Sequence, residues 1–391
     1  MGPLHVGFDA QILRRQRRGG ISRYFCELAA ALPPAGVTVS LESRSPTGWR
    51  PRGNWRNADV VHATFYGGCP YRLRQGQRLV SSLFDMVPER HPEHFFLPAL
   101  RSPHANKAAW LSASDLIISI SAASADDLVF FHPALQTPVQ VIHLATALDS
   151  IPPEPVARLQ GRRFWLMVGK RHAYKNGMTL MRALALLHRG RRSRGDLPLL
   201  VFAGGGAWRL EEQRCIAAHG MQEAVLQLPA NDAVLAWLYR QAEAVLVPSL
   251  AEGFSLPLIE ALACDTPVVA SDLEVHREVG RGFSSFLPAL NAGAWAEWLL
   301  SRSVIPEARP SQCLDPGEYG RLRRHYAMDR LVQEHVEAYA GTGRLRSSCA
   351  ATGEKSSGHQ VPHRRQTYKL SSPGLSLAHG VECPATMMGL P

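Results

Sequence analysis

Between Phe164 and Asp272 the chain repeats one pattern: a short apolar run, a tight turn, and a stretch with helical spacing. Phe164–Val168, Leu199–Ala203, Ala244–Val247 and the Val-Val-Ala-Ser ending before Asp272 are apolar on both faces and too short for buried helices. Helical spacing follows the first run as far as Leu187, occupies Leu235–Ala242 and resumes after Pro257, and with one further helix expected ahead of Leu235 the order is β, α, β, α, α, β, α, β. Parallel strands cannot be joined by a hairpin and need a crossover, which these helices supply. The predicted architecture is therefore an α/β sheet covered on both faces.

The N-terminal half follows the same plan. His5–Asp9, Asp59–His62, Leu79–Leu83, Asp115–Ser121 and Val139–Leu144 predict strands, while Phe25–Leu32 and Ala122–Leu128 predict helices, the second capped by Ser121. Pro152, Pro153 and Pro155 separate the halves. The expected organisation is a domain over 1–150, a linker over 151–160, a second domain over 161–322 and a closing helix over 323–340. From Gly341 the composition turns to Ser, Gly, Pro and His without hydrophobic periodicity, and residues 341–391 are expected to be disordered.

A chain of 391 residues, 46% hydrophobic and 19% charged, has material for two ordinary cores. No apolar run approaches the roughly 20 residues of a membrane-spanning helix, and the N-terminus has no apolar signal segment, so a cytoplasmic location is expected. The seven cysteines contain no Cys-x-x-Cys pair, which argues against a zinc site or a disulfide framework. Net charge is +10, but the arginines are not interleaved with aromatics into a stacking platform, so nucleic acid is not an expected partner. Basic clusters at Arg14, Arg15, Arg17 and Arg18 and at Arg50, Arg52, Arg56, Arg72, Arg74 and Arg78 suit an acidic membrane surface or an anionic acceptor; plain solubility accounts for them equally.

The chemistry concentrates in Val245–Asp272. A buried strand stops at Pro248 and Ser249, Gly253 allows a tight turn, and Pro257 suits the first turn of the next helix. Free N–H groups of Gly253, Phe254 and Ser255 at that helix start make an anion site able to hold a diphosphate. Glu252 in the turn and Glu260 in the helix would repel phosphate, so they make sense as acceptors for hydroxyl groups of a ribose and a sugar.

This segment resembles the Glu, seven residues, Glu signature of retaining family 4 glycosyltransferases, which have the GT-B fold of two Rossmann-like domains facing a cleft. The resemblance covers the spacing, the Gly-Phe after Glu252, the proline before Glu260 and the Ala-Cys-Asp-Thr-Pro-Val-Val-Ala-Ser entry to the next strand. Asp265 stands where a glycine is usual. In Gly169-Lys170-Arg171-His172-Ala173-Tyr174-Lys175-Asn176 the resemblance places Lys170 and Lys175 on the two cations that bracket the departing diphosphate, Lys170 replacing the more usual arginine. Fixed ammonium groups stabilise the charge that grows there in the transition state. Gly204-Gly205-Gly206 reads either as nucleotide loop or as plain strand turn.

In the N-terminal half the resemblance makes Gly20 a point of close backbone approach to the donor phosphates and Arg23 a secondary anion contact; a plain turn with solvated arginines fits equally. Family members often carry His-Asp where this chain has Phe84-Asp85. Asp85 is expected in the cleft, and His62 is either a substitute for the missing histidine or a histidine that packs. The implied activity is retaining transfer of a hexose, with mannose suggested, from a nucleotide-sugar to a glycan or lipid-linked acceptor in lipopolysaccharide or exopolysaccharide assembly. No cofactor or metal is implied, and peripheral contact with the inner face of the cytoplasmic membrane is expected. The alternatives are a catalytically silent sugar-binding scaffold of the same fold and a nucleotide-sugar epimerase using His62 and Asp85.

Overall fold

The computed structural model describes residues 3–16, 19–44, 51–52, 54–95, 104–190, 197–305 and 307–351. The expected arginine contacts at 17, 18 and 50, and the expected tail from 352 onward, lie outside them. Residues 1–347 form one compact unit; of the second, 348–391, only the first four residues are described.

Twelve strands make two six-stranded parallel sheets. The first contains β1 (His5–Phe8), β2 (Thr38–Leu41), β3 (Val60–Ala63), β4 (Arg78–Leu83), β5 (Leu116–Ser119) and β6 (Val139–Val141), in the order β2-β1-β3-β4-β5-β6. The second contains β7 (Phe164–Val168), β8 (Leu199–Ala203), β9 (Val225–Leu228), β10 (Ala244–Val247), β11 (Val268–Ser271) and β12 (Ser284–Leu287), in the order β9-β8-β7-β10-β11-β12. Registers run straight across, with Phe8 beside His62 in the first sheet and Leu166 beside Val245 in the second.

Alternation along each strand divides the core into layers. In β7, Phe164 and Leu166 enter the layer shared with the N-terminal half, whereas Trp165 and Met167 enter an outer layer with Leu180, Leu184 and Trp295. A third layer, with Trp55, Val61, Leu79 and Trp110, covers the outer face of the first sheet.

The last helix, Met328–Ala351, runs beyond Gly341, where the tail was expected to begin. It packs back on the N-terminal lobe: Tyr24 Oη and His335 Nε2 are 2.6 Å apart, and Tyr339 Oη lies 2.7 Å from His62 Nδ1. His62 is fully buried there, its other ring nitrogen 2.9 Å from Ser82 Oγ. Of the two readings of His62, the packing histidine is the one this geometry matches.

Candidate active site

The order of the second sheet reverses at β7 and β10, which lie side by side while their successors run to opposite edges. Ligands in open parallel sheets gather outside the carboxyl ends of the strands at such a point. Gly169–Asn176 follows β7, and Pro248–Ser255 follows β10. Gly169 and Asn176 turn the first loop sharply with φ of 98° and 54°. Asn176 Nδ2 then donates to Pro248 O at 2.9 Å and Ala289 O at 2.8 Å, and Leu250 N donates to Tyr174 O at 2.6 Å, so the loops are fastened together.

Lys175 and Glu252 meet across this junction. Lys175 Nζ donates to both carboxylate oxygens, at 2.7 and 2.8 Å, and Ser249 Oγ donates to Oε1 at 2.6 Å. Exposure is 25% for the lysine side chain and 7% for the glutamate. Burial is the largest influence on each and disfavours its charge, but the partner outweighs it. Glu252 is held below the usual glutamate range by Lys175 and His276, and Lys175 above the usual lysine value by Glu252.

Lys170 is exposed and makes no hydrogen bond or ion pair among the described residues. Its neighbour Arg171 turns inward instead, where its guanidinium grips Glu212 at 2.8 and 3.1 Å and donates to the carbonyls of Gly204, Gly206 and Ala207. A Cβ on Gly205 would come within 2.7 Å of Arg171 Nη1 and 2.9 Å of Gly169 O. The triple glycine is thus a turn shaped around a buried arginine.

The helix Leu256–Ala263 starts at Ser255, and the N–H groups of Gly253, Phe254 and Ser255 donate to no backbone carbonyl among the described residues. A Cβ on Gly253 would lie 1.9 Å from Phe84 O and 2.8 Å from Asp85 Cβ, so only glycine lets the lobes approach this closely. Ser121 Oγ and Ser124 Oγ donate to Gly253 O at 2.6 and 3.1 Å from the N-terminal lobe. Asp85 accepts from Val87 N at 3.1 Å, and its carbonyl is held by Lys107 Nζ, which also pairs with Glu89 at 2.8 Å. Phe84 is buried edge-on against Tyr24 and Phe25, an aromatic contact that gives the residue a packing role a histidine would fill poorly.

Glu260 is 6% exposed, accepts from Tyr239 Oη at 2.6 Å, and lies 3.8 Å from Arg23 Nη1. Burial raises its carboxyl, against the pull of Tyr239 and Arg23. Arg23 also reaches Glu27 at 2.6 Å and Asp232 at 3.3 Å. Gly20, Arg23, Tyr24, Leu256 and Glu260 line a common cleft between the lobes. A Cβ at Gly20 would make ordinary contact with Leu256, 3.5 Å away.

Three groups at or near the site escaped sequence reasoning. His276, fully buried, donates Nδ1–H to Ser271 O at 2.7 Å, and its Nε2 has no partner among the described residues. Asp9 lies at the reversal point of the first sheet, accepting from Gln11 N, Gln11 Nε2, Thr64 N, Thr64 Oγ1 and Tyr71 Oη. Glu278 crosses between lobes, accepting from Ala122 N at 2.6 Å and Ala123 N at 2.9 Å. A strand-end position is the only signal that would have marked Asp9; nothing in the sequence marks the other two. Asp265, the departure from the usual glycine, holds φ of 53° while its carboxylate accepts from Ser311 N at 2.8 Å and Ser311 Oγ at 2.7 Å. His91, Glu93 and His94, on a turn near Tyr174, bring ligand atoms within 4.8 Å of one another.

Two facing Rossmann-like lobes with a charged crevice at the switch point define the GT-B class. Solved structures share it: sucrose-phosphate synthase from Thermosynechococcus elongatus has a TM-score of 0.63 at 18% identity, covering 90% of this chain and 100% of that one. Anabaena HepE in complex with UDP-glucose has a TM-score of 0.60 at 15% identity, covering 86% and 100%. A family model described as glycosyl transferases group 1 matches residues 153–296. The D-inositol 3-phosphate glycosyltransferase of Pseudarthrobacter chlorophenolicus is 32% identical over 387 residues, 82% of this chain and 90% of that protein. The chain belongs to the group 1 glycosyl transferases. The O-antigen chain mannosyltransferase B of Escherichia coli is 27% identical over 58% of this chain, and the match spans 62% of its own length. A D-inositol 3-phosphate glycosyltransferase of Gordonia bronchialis is 29% identical, with 52% of its length matched.

Proposed function

We propose that this chain moves a hexose, with retention of anomeric configuration, from a nucleoside diphosphate sugar to a glycan or lipid-linked acceptor. The observation that carries the reading is the Lys175–Glu252 pair set beside the N–H groups of Gly253–Ser255, unpaired among the described residues, at the sheet's switch point. An ammonium and oriented amides stabilise a departing diphosphate, while the carboxylate, kept ionised by the lysine, accepts hydrogen bonds from sugar hydroxyls. Lys170, free of other partners among the described residues, completes the cationic side of that leaving group. Glu260 takes the ribose hydroxyls, and Asp85 faces the sugar from the opposite lobe.

The bond between the anomeric carbon and the leaving phosphate oxygen breaks. The acceptor oxygen bonds to that carbon from the same face, and its proton passes to the phosphate oxygen. In this scheme lysines and backbone amides carry the charge stabilisation, so transfer proceeds without a metal. The likeness to the O-antigen chain mannosyltransferase B of Escherichia coli, and to a serotype-specific mannosyltransferase of the same organism, supports mannose as the sugar and surface polysaccharide as the product. No helix among the described residues is long and apolar enough to cross a membrane. A cytoplasmic enzyme resting at the membrane's inner face fits a lipid-linked acceptor and the basic N-terminal half.

Against a silent scaffold stand the retained Lys170, Lys175, Glu252 and Glu260. The epimerase reading loses His62 to the closing helix. Proton NMR of product made from α-linked GDP-mannose or UDP-glucose, with EDTA present, tests the proposal. An α-linked product is expected; a β-linked product, or transfer only after a divalent metal is restored, would refute this mechanism.

A further inference from the structure

Ser255 combines three features that a purely structural residue would not need. Its backbone is left-handed, with φ of 84°, a conformation that an L side chain adopts only under constraint. It occupies the N-cap position of the eight-residue helix Leu256–Ala263, yet makes no capping hydrogen bond. Its residue is 4% exposed, and its hydroxyl is buried without a partner among the described residues.

The first feature explains the second. An N-cap serine normally has extended backbone, which lets its oxygen accept from an N–H in the first helical turn. In the left-handed region the hydroxyl is turned off the first helical turn, where Pro257 has no N–H and Leu258 N already donates to Ser255 O at 3.1 Å, so the hydroxyl is left for something else. Glycine would hold the same turn without strain, and glycine at this position would also remove the orphaned hydroxyl. A side chain that is strained, buried and unsatisfied, at the end of a loop with unpaired N–H groups, fits an anionic ligand better than it fits the protein.

We infer that Ser255 is a side-chain donor to the leaving diphosphate, adding an O–H to the backbone N–H groups of Gly253, Phe254 and Ser255. The inference rests on the donor-site reading above and names a specificity residue within it. With the diphosphate bound, the hydroxyl donates to a phosphate oxygen and the unsatisfied group disappears. Such a residue favours a diphosphate over a bare nucleoside.

Calorimetric titration of the full chain with UDP, GDP, their nucleosides and inorganic pyrophosphate tests this in wild type, Ser255→Gly and Ser255→Ala. Both variants should bind the preferred nucleotide and pyrophosphate about tenfold more weakly, since a hydrogen bond to a charged group is lost, with nucleoside binding unchanged. Ser255→Gly should at the same time unfold at higher temperature, because the strained backbone is relieved. A merely structural serine would not combine higher stability with weaker diphosphate binding. Unchanged diphosphate affinity in both variants would overturn the inference while leaving the donor site standing. A wild type that binds neither nucleotides nor pyrophosphate would overturn both.

Discussion

The two sheets place a carboxylate at the same topological point, and they treat it in opposite ways. Asp9, after β1, is met by five neutral donors; Glu252, after β10, is met by an ammonium and a hydroxyl. Burial therefore keeps Asp9 above the ordinary aspartate value, its neutral donors notwithstanding, while Lys175 holds Glu252 below the glutamate range. The difference assigns different work. Asp9 ties Gln11, Thr64 and Tyr71 into one frame at the reversal point of the first sheet, and nothing about it calls for a reacting partner. Glu252 stays charged beside a cation that has a quarter of its surface exposed, which suits groups that meet a substrate.

Removing Lys175 would break this comparison most severely. Lys175→Ala leaves Glu252 enclosed without its counter-ion and strips the leaving group of a fixed charge. Turnover should fall by about a hundredfold or more, well beyond the loss in nucleotide affinity. Unchanged turnover in a steady-state assay would remove this lysine from the mechanism.

Asp9→Ala should act on stability instead. Five donors would lose their acceptor, at a cost of about 1–3 kcal/mol in urea unfolding, with nucleotide affinity intact. Acid sharpens the contrast. Glu252 has a folded value below its unfolded value of about 4.3, so its contribution is present above that pH and lost as pH falls through the folded value. Asp9 has a raised folded value, so its burial penalises the ionised fold at neutral pH and is relieved on acidification. Glu252→Gln should flatten the acid decline of stability and Asp9→Asn should not; the reverse assignment in pH-dependent melting would contradict the comparison.

Much of this fold was legible in the chain because the central strands are apolar on both faces. Three of the twelve strands in the two large sheets were not. Thr38–Leu41, Val225–Leu228 and Ser284–Leu287 lie at sheet edges, where one neighbour and partial exposure leave Thr, Ser and Gln among the apolar residues. The signature glutamates and the loop lysines could be named through the family resemblance, but their pairing could not, since 77 residues separate Lys175 from Glu252. Nor could sequence say which of Lys170 and Arg171 faces solvent, as adjacent cations differ only in where the backbone points them. His276 was hidden for a similar reason: its ring nitrogen without a partner among the described residues is defined only once Ser271 has claimed the other.

The central claim is a diphosphate-sugar site built on Lys175, Glu252 and Glu260. It is tested most directly by calorimetric titration of the full chain with UDP, GDP and ADP in EDTA, alongside Glu260→Ala. One nucleotide should bind without metal and bind about tenfold more weakly in the variant. Binding of none of the three, or equal binding by the variant, would contradict the account.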